Sequence, residues 1–289
     1  MKQVAFQKAK FLSFSASGAI LLLLSACADL KGIRQFSEVS ADTASYTALS
    51  IDHVKSFERQ KRFQDQSRHA DLDRKIKDRK QQQDALLGLH RGVQEYMTAI
   101  GALAADELVS YDSALDSFSK NLKSAKMPHL NDKSVDAFSA LIKLIAKAAS
   151  DAYRQKQLNL IIGDSNTDFQ TLISSMSDIV GLYYISSLED EEAAVDKFYQ
   201  KIIVIADNAP PPQQASIQLL KESWQAKKDA IAVKKQSCAL YAKSLKKIGE
   251  GHQLLYQNRE KLTAKQFLDT LYGYRKEVEA LNKEIQNIS

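Results

Sequence analysis

Glycine and proline, the residues that most often interrupt regular structure, are scarce in this sequence. The 289 residues include 10 glycines and 4 prolines, whereas average usage would give about 20 and 14. Three of the four prolines are consecutive, at positions 210–212. A chain with so few turn-forming residues is expected to consist of a few long helices.

The C-terminal part of the chain carries the clearest helical periodicity. Between 267 and 288 the apolar residues alternate steps of four and three, the heptad spacing of a coiled-coil seam. These residues are Phe267, Leu271, Tyr274, Val278, Leu281, Ile285 and Ile288. A similar frame over 217–255 predicts a second long helix that starts at the prolines, with a turn at 258–262 between the two.

Weaker apolar patterns upstream predict the remaining helices. They are expected over 36–68, 86–104, 111–123, 135–152 and 169–207. Asn131 or Asp132 would cap the helix marked by apolar residues at 135–152, which would end around Gly163. The pattern that starts at 169 indicates either one unbroken helix as far as 207 or two helices with a break between them. Residues 71–84 have few apolar side chains and are expected to project or fray. We therefore predict an all-α fold, in which residues 36–289 form an elongated antiparallel bundle of about six long helices with coiled-coil-like seams.

Residues 1–26 have the layout of an export signal. Lys2, Lys8 and Lys10 precede an uncharged apolar run over 11–26. The run is too short to span a bilayer comfortably, since a spanning helix needs about 20 residues. A basic leader followed by a short apolar segment that ends in small residues is typical of a secretory signal peptide. The segment is either a plain signal peptide, an N-terminal membrane anchor in which Cys27 is incidental, or a signal peptide of the more specific kind that its last residues indicate.

The end of the apolar run is more specific. Leu24-Ser25-Ala26-Cys27 resembles the lipobox of bacterial lipoproteins. The resemblance implies cleavage before Cys27, a diacylglycerol on its thiol and a further acyl chain, such as palmitate, on its amino group. In enteric-type lipoproteins an aspartate directly after the cysteine favours the inner membrane, and here that position is Ala28. The resemblance thus implies anchoring in the outer membrane, facing the periplasm, with 27–35 as a short tether.

The net charge of +5 comes mostly from the leader. Without residues 1–26 the chain has 37 basic and 35 acidic residues, and an exported chain of this balance is not expected to bind nucleic acid. Local asymmetry remains, because 221–247 contains eight lysines and two acids whereas 189–192 is entirely acidic. The lysine-rich stretch indicates a solvated helix face or a contact for anionic headgroups or an acidic partner. The acidic run 189–192 indicates a solvated turn or, alternatively, a loose site for a divalent cation.

Motifs for catalysis or metal binding are few. No histidine lies three residues after an acid, the spacing that metal sites in helical bundles use, and no phosphate loop or nucleophile elbow occurs. His90 and His252 fall on apolar seams, which indicates core histidines or, alternatively, a functional pair that titrates near neutral pH. No catalytic residue, cofactor or metal is therefore assigned, and Cys27 is the predicted site residue, as the lipid attachment point.

Three further side chains have two interpretations each. Lys227 and Lys234 are seven residues apart on one predicted seam, which indicates lysine stems with solvated amines or a groove for a partner. Cys238 shares a helix face with Ile231 and Leu245. It is expected to be buried, the alternative being an intermolecular disulfide.

An anchor combined with a helical surface favours a non-enzymatic envelope lipoprotein that binds another envelope protein. It would act as a scaffold, an activator or an inhibitor of the immunity-protein type. One alternative is a periplasmic enzyme with a pocket around His90 or His252. Another is a module that binds anionic membrane surfaces through 221–247.

Overall fold

The computed structural model describes residues 30–209 and 214–288. The predicted signal peptide, Cys27 and the prolines at 210–212 lie outside these residues. Within them the chain forms helices joined by short turns and contains no strand, which confirms the all-α prediction. The α-helices are α1 (Lys31–Ala44), α2 (Ala48–Val54), α3 (Ser56–Lys61), α4 (His69–Gln81), α5 (Gln83–Ala104), α6 (Ala114–Ser124), α7 (Asp132–Ser150), α8 (Leu158–Asp178), α9 (Ile185–Asp207), α10 (Gln214–Gln257) and α11 (Lys265–Ile288).

Five helices, α1, α5, α8, α10 and α11, pack in a closed ring around the core. Neighbours in the ring run antiparallel, as predicted, with one exception. Helices α1 and α11 run parallel, since Gly32 lies beside Leu268 and Thr43 beside Asn282. A closed ring with an odd number of helices must contain at least one parallel pair. Outside the ring, α7 packs on α5 and α8, and α6 covers α5 and α7.

Helices α8 and α9 are joined without a break. Helix α8 has 21 residues, a π-helical segment at Ile179–Tyr184 has 6 and α9 has 23, which together form one helix of 50 residues. At 1.5 Å per residue it is about 75 Å long. The interpretation as one unbroken helix is therefore confirmed, but the helix begins at Leu158 rather than at 169.

Helix α7 begins as predicted and ends earlier. Asn131 caps it, because its Oδ1 accepts a hydrogen bond of 3.0 Å from the Ser134 N–H. The predicted end near Gly163 is wrong: α7 ends at Ser150. The chain turns there through Ala152, whose φ of 50° is left-handed and stops a helix.

The N-terminal part of the body departs most from the prediction. Residues 36–68 form α1, α2, α3 and a 3-10 turn instead of one helix. At the first break, Ser45 Oγ donates to the Asp42 carbonyl at 2.6 Å, a side-chain bond that competes with helix continuation. Helix α1 begins at Lys31 and buries Ile33 completely. Residues 31–35 are therefore part of the folded body, and the predicted tether is wrong over that stretch.

Helix α4 does not project from the body. Leu72 and Arg79 are buried, and α4 packs on α2, α3 and α5. Asp71 pairs with Lys75 within the helix at 3.1 Å, and Asp73 pairs with Lys61 of α3 at 2.5 Å. The expectation that 71–84 frays or projects is wrong, because the face of this helix that carries Leu72 and Arg79 is buried against the neighbouring helices.

The close approach of α1 and α10 depends on Gly251. The Phe36 ring lies on this glycine, and a Cβ there would overlap the ring. We expect Gly251→Ala to lower the free energy of unfolding by about 1–3 kcal/mol, the usual cost of overpacking. The matched change Gly273→Ala, where a Cβ would meet nothing within 4 Å, should raise it by about 0.5–1 kcal/mol. Urea denaturation measures both, and equal effects at the two positions would contradict the packing.

Candidate functional site: a charged cluster at the base of a helical arm

His90 is a buried side chain with hydrogen-bond partners on both ring nitrogens. Its Nδ1 lies 2.9 Å from the Ala44 carbonyl oxygen, so Nδ1 carries the proton, and its Nε2 accepts from Ser50 Oγ at 2.7 Å. Burial lowers the pKa of His90 to about 4. The cavity beside it has a volume of about 10 Å³, room for no more than one water molecule. His90 is thus a neutral core residue near neutral pH.

His252 is held in the same way inside the ring of helices. Its Nε2 lies 2.7 Å from the Tyr96 hydroxyl, and its Nδ1 lies 3.1 Å from Asn166 Oδ1. The side chain is fully buried, and this burial lowers its pKa to about 3. The interpretation of both histidines as core residues is confirmed, and the structure does not bring them together as a pair.

Another group of charged side chains lies where α2, α3, α9 and α10 meet. The charged cluster consists of Asp52, Arg59, Tyr184, Glu191 and Lys234. Arg59 bridges the two carboxylates, since Nη1 and Nη2 donate to Asp52 at 2.9 and 3.1 Å, and Nε and Nη2 donate to Glu191 at 2.7 and 2.9 Å. Asp52 also accepts from Lys234 Nζ at 3.1 Å and from the Tyr184 hydroxyl.

This cluster is electrically balanced, with two carboxylates and two cations. Burial of Arg59 opposes its charge, but the hydrogen bonds and charges of Glu191 and Asp52 outweigh that effect and raise its pKa. Planar, bidentate pairing is the strongest geometry available to a guanidinium and a carboxylate. The cluster therefore fastens α2 and α3 to α9 and α10.

Arg79 forms a second polar group beside the charged cluster. Its side chain is 2% exposed, and no carboxylate of the described residues pairs with it. Nη1 donates to the His53 carbonyl oxygen and to Ser56 Oγ, both at 3.0 Å, and lies 3.0 Å from His53 Nδ1. Nη2 donates to the Tyr183 hydroxyl at 3.3 Å and to Ser187 Oγ at 3.4 Å. Burial lowers the pKa of Arg79.

The proton of His53 can be placed from its contacts. Arginine only donates, so His53 Nδ1 accepts from Arg79 and the proton is on Nε2. Among the described residues Nε2 has no hydrogen-bond partner. The rings of Tyr183 and Tyr184 lie edge-to-face with the imidazole, at centroid distances of 5.0 and 4.8 Å. Burial and then the charges of Arg79 and Arg59 lower the pKa of His53 to about 2.

Beyond these clusters, α9 and α10 extend as a two-helix arm. We define the arm as residues 196–207 of α9 with residues 214–230 of α10. Among residues 200–207 none is buried, and among 214–230 Ile217 alone is buried. The two helices are joined by a hydrogen bond of 2.7 Å between the Tyr199 hydroxyl and Ser223 and by one of 2.7 Å from Trp224 Nε1 to Asp196.

The end of the arm exposes apolar side chains. Val204 and Ile205, in the last turn of α9, are 60% and 62% exposed, and Leu219, in the second turn of α10, is 67% exposed. Of the large apolar side chains in the described residues, these three are the most exposed. All three lie in the outer turns of the arm, two on α9 and one on α10.

The acidic run and the lysine-rich stretch meet where α9 packs on α10. Lys235 pairs with Glu192 at 2.6 Å, and Lys228 lies 3.8 Å from Asp196. The prediction that 189–192 is a solvated turn is wrong, because these residues lie within α9 and Glu191 is buried against Arg59. Opposite charges that are separate in the sequence therefore hold the base of the arm together.

Lys227 and Lys234 line one pocket at the base of the arm. The pocket has a volume of about 150 Å³. Its lining consists of Arg59, Arg62, Phe63, Glu191, Val195, Lys227, Ala230, Ile231 and Lys234. Lys234 is paired with Asp52, whereas Lys227 and Arg62 form no ion pair with a described residue. The two lysines thus have different roles, one inside the charged cluster and one on its solvent side.

Cys238 is buried, as predicted. It is a free thiol with no exposed surface. Burial and the charge of Asp52 raise its pKa to about 12, against a smaller opposite effect of Lys234. A thiol of such high pKa has almost no thiolate at neutral pH and is a poor nucleophile.

Sequence reasoning missed His53, Arg79 and most of the charged cluster. One signal was present: Leu72, Ile76 and Arg79 are spaced by four and three residues, which places Arg79 on the apolar face of α4. The partners of Arg59 carried no such signal, since Glu191 lies 132 residues away.

Comparison with known proteins adds no relationship. No protein-family model, no curated protein and no solved structure matches the chain. In 30–209 and 214–288 no helix is long and apolar enough to cross a bilayer. The same residues contain no group of three or more histidine, cysteine, aspartate or glutamate side chains placed to hold a metal ion.

Proposed function

We propose that this protein is a lipid-anchored component of a bacterial envelope that binds another envelope protein through its arm. The observation that carries the proposal is the exposed apolar end of the arm, formed by Val204, Ile205 and Leu219. The lipobox ending at Cys27 supports the anchor, and Ala28 after the cysteine supports an outer-membrane location facing the periplasm. The role is that of a scaffold, an activator or an inhibitor.

The surroundings of the apolar end suit a protein partner. Lys201, Asp207, Lys221 and Glu222 lie on the same helical turns and provide charges of both signs. An apolar centre with a polar rim is the usual anatomy of a protein interface. The charged cluster and the ion pairs between α9 and α10 hold the two helices in place, which lowers the entropy lost on binding.

Site-specific crosslinking in living cells tests the arm. A photoreactive amino acid at Leu219 is expected to form a crosslink to one partner, whereas the same residue at Leu182, which is 56% exposed in the π-helical segment, should not. The double change Ile205→Asp and Leu219→Asp should weaken the purified complex by about tenfold or more per buried contact, with unfolding by urea unchanged. A partner that binds this variant as well as the unchanged protein would refute the proposed surface.

Replacement of the cysteine tests the anchor separately. In Cys27→Ser we expect loss of acylation, so the N-terminal peptide of the purified protein should lack the mass of the acyl chains. Two or three chains hold a protein stably on a bilayer, whereas a single chain does so only marginally. A Cys27→Ser protein that keeps the same electrophoretic mobility and membrane fraction as the unchanged protein would contradict the lipoprotein proposal.

A further inference from the structure

We infer that the end of the bundle opposite the arm lies directly on the lipid surface and contacts anionic headgroups. This basal end consists of the first turn of α1, residues 105–108 after α5, the connection 151–157 with the first turn of α8, and the connection 258–264. The inference rests on the proposed lipidation of Cys27. It adds which surface of the body meets the membrane and which lipid chemistry that surface recognises.

The short distance along the chain from Cys27 to the folded body supports this orientation. Helix α1 begins at Lys31, four residues after the cysteine. A chain spans at most about 3.6 Å per residue, so this stretch reaches at most about 14 Å. Ile33 is fully buried, and Leu30 is 7% exposed, so the chain is fixed in the body from its first described residue. The first turn of α1 must therefore lie close to the headgroups.

Contacts between distant segments show that the basal end is one surface. Arg154 Nη1 donates to the Asp106 carbonyl oxygen at 3.0 Å, and Gln155 Nε2 donates to the Ala104 carbonyl oxygen at 3.2 Å. A cavity of about 440 Å³ is lined by Ala104, Asp106 and Gln155 together with Lys31 and Arg34 of α1. On the other side of α8, the Arg259 side chain lies over Gly163.

The chemistry of the basal end fits a lipid surface. Leu108 and Leu160 are 55% and 54% exposed, although each lies next to buried apolar residues. Four exposed cations of this end form no ion pair with a described residue. They are Lys31, Arg154, Lys156 and Lys261. The carboxylates of this end without an ion pair are Asp106 and Asp151, so cations are in excess.

Cations beside exposed leucines are the combination that binds at a bilayer interface. The leucine side chains enter the boundary between headgroups and acyl chains, and the cations attract anionic lipids. This attraction acts within a Debye length, about 8 Å at physiological ionic strength. The short link to Cys27 keeps the cations of the basal end close to the headgroups, where the attraction is felt. In the lysine-rich stretch 221–247, by contrast, four of the eight lysines form ion pairs within the fold.

The orientation also fixes where the arm points. Helix α8 begins at the basal end, and the continuous helix that it starts ends at Asp207 in the arm. A helix of 50 residues can place the end of the arm up to about 75 Å from the lipid surface. Val204, Ile205 and Leu219 would thus be presented well outside the headgroup layer, where a partner can reach them.

Depth-dependent fluorescence quenching tests the inference on the full lipidated protein. The protein is purified from membranes and reconstituted into vesicles of phosphatidylethanolamine and phosphatidylglycerol with brominated acyl chains. A bimane label is placed at Leu108→Cys, at Leu160→Cys and, as the matched control, at Leu219→Cys. Cys238 is buried and should take up no label. We expect several-fold stronger quenching at 108 and 160 than at 219.

Charge variants test the recognition of anionic headgroups. In the Leu108→Cys background, Lys156→Glu with Lys261→Glu should reduce quenching several-fold, whereas Lys221→Glu with Lys243→Glu should leave it unchanged. Quenching at 108 should also fall in vesicles of phosphatidylcholine alone. Equal quenching in both kinds of vesicle would overturn the role of the cations. Quenching at 219 equal to that at 108 would show a protein lying flat, which overturns the orientation.

The same samples separate this inference from the proposed anchor. Mass spectrometry of the N-terminal peptide reports whether Cys27 carries acyl chains. An acylated protein whose labels at 108 and 160 remain in water overturns the basal contact alone. A protein without acyl chains that leaves the vesicles overturns the anchor, and with it the inference that depends on it.

Discussion

Lowering the pH from 7 to 5 is expected to remove about 6 kcal/mol of stability, about 2 kcal/mol for each of three buried histidines. Burial lowers the folded-state pKa of His53, His90 and His252 to about 2, 4 and 3. In the unfolded chain a histidine titrates near 6.5. Below that pH the unfolded chain therefore binds protons that the folded protein excludes. The stability that these three neutral histidines contribute is present above the unfolded-state pKa of about 6.5 and is lost as the pH falls below it.

The size of this effect approaches the whole stability of an ordinary domain, which is about 5–15 kcal/mol. We therefore expect the protein to unfold in mild acid, before most of its carboxylates are protonated. Urea denaturation at a series of pH values gives the slope of the unfolding free energy against pH, and this slope reports the number of protons taken up on unfolding. That number should approach three at pH values between the unfolded-state and folded-state pKa values.

A histidine substitution provides the control for this slope. His252→Gln replaces the imidazole with an amide, which can still form hydrogen bonds with Tyr96 and Asn166 but does not titrate. Its pH slope should fall from about three protons to about two, although the variant is less stable at pH 7. A slope unchanged in His252→Gln would show that His252 does not exclude protons in the folded protein.

The histidines also show what local sequence can and cannot predict. His90 and His252 replace an apolar residue at a seam position, so helical periodicity alone identified them as core residues. His53 lies in the short helix α2, between breaks at 45–47 and at Lys55. No glycine or proline marks those breaks, and the Ser45 side chain that contributes to the first is one serine among several. The burial of His53 under Tyr183 and Tyr184 depends on contacts between segments about 130 residues apart.

Long-range charge pairing was equally invisible in the sequence. The run 189–192 has the composition of a solvated turn, and it is a helical segment because Arg59 and Lys235 approach it from other helices. The seams of α10 and α11, by contrast, follow from apolar spacing that each helix carries by itself. Periodicity thus predicted the long helices and their bundle, whereas the closed ring and the base of the arm depend on tertiary contacts.

Removal of Arg59 should have the largest effect of any change at the base of the arm. Arg59→Met leaves Glu191, whose side chain is 5% exposed, without a counter-charge, while Asp52 keeps Lys234. Breaking a buried ion pair by removing one partner costs about 3–5 kcal/mol. Urea denaturation at neutral pH measures this loss. Hydrogen exchange should also accelerate over 196–207, because α3 no longer holds α9.

Two matched variants separate charge from packing in this prediction. Arg34→Met removes an exposed pair with Glu38, with side chains 48% and 55% exposed, and should leave the free energy of unfolding almost unchanged because solvent screens such a pair. The double variant Arg59→Met with Glu191→Gln should recover part of the stability, because it removes the unpaired buried charge that dominates the cost. If the double variant were less stable than Arg59→Met alone, the loss would come from packing around Arg59, and the cluster would not be the electrostatic clamp that holds the arm.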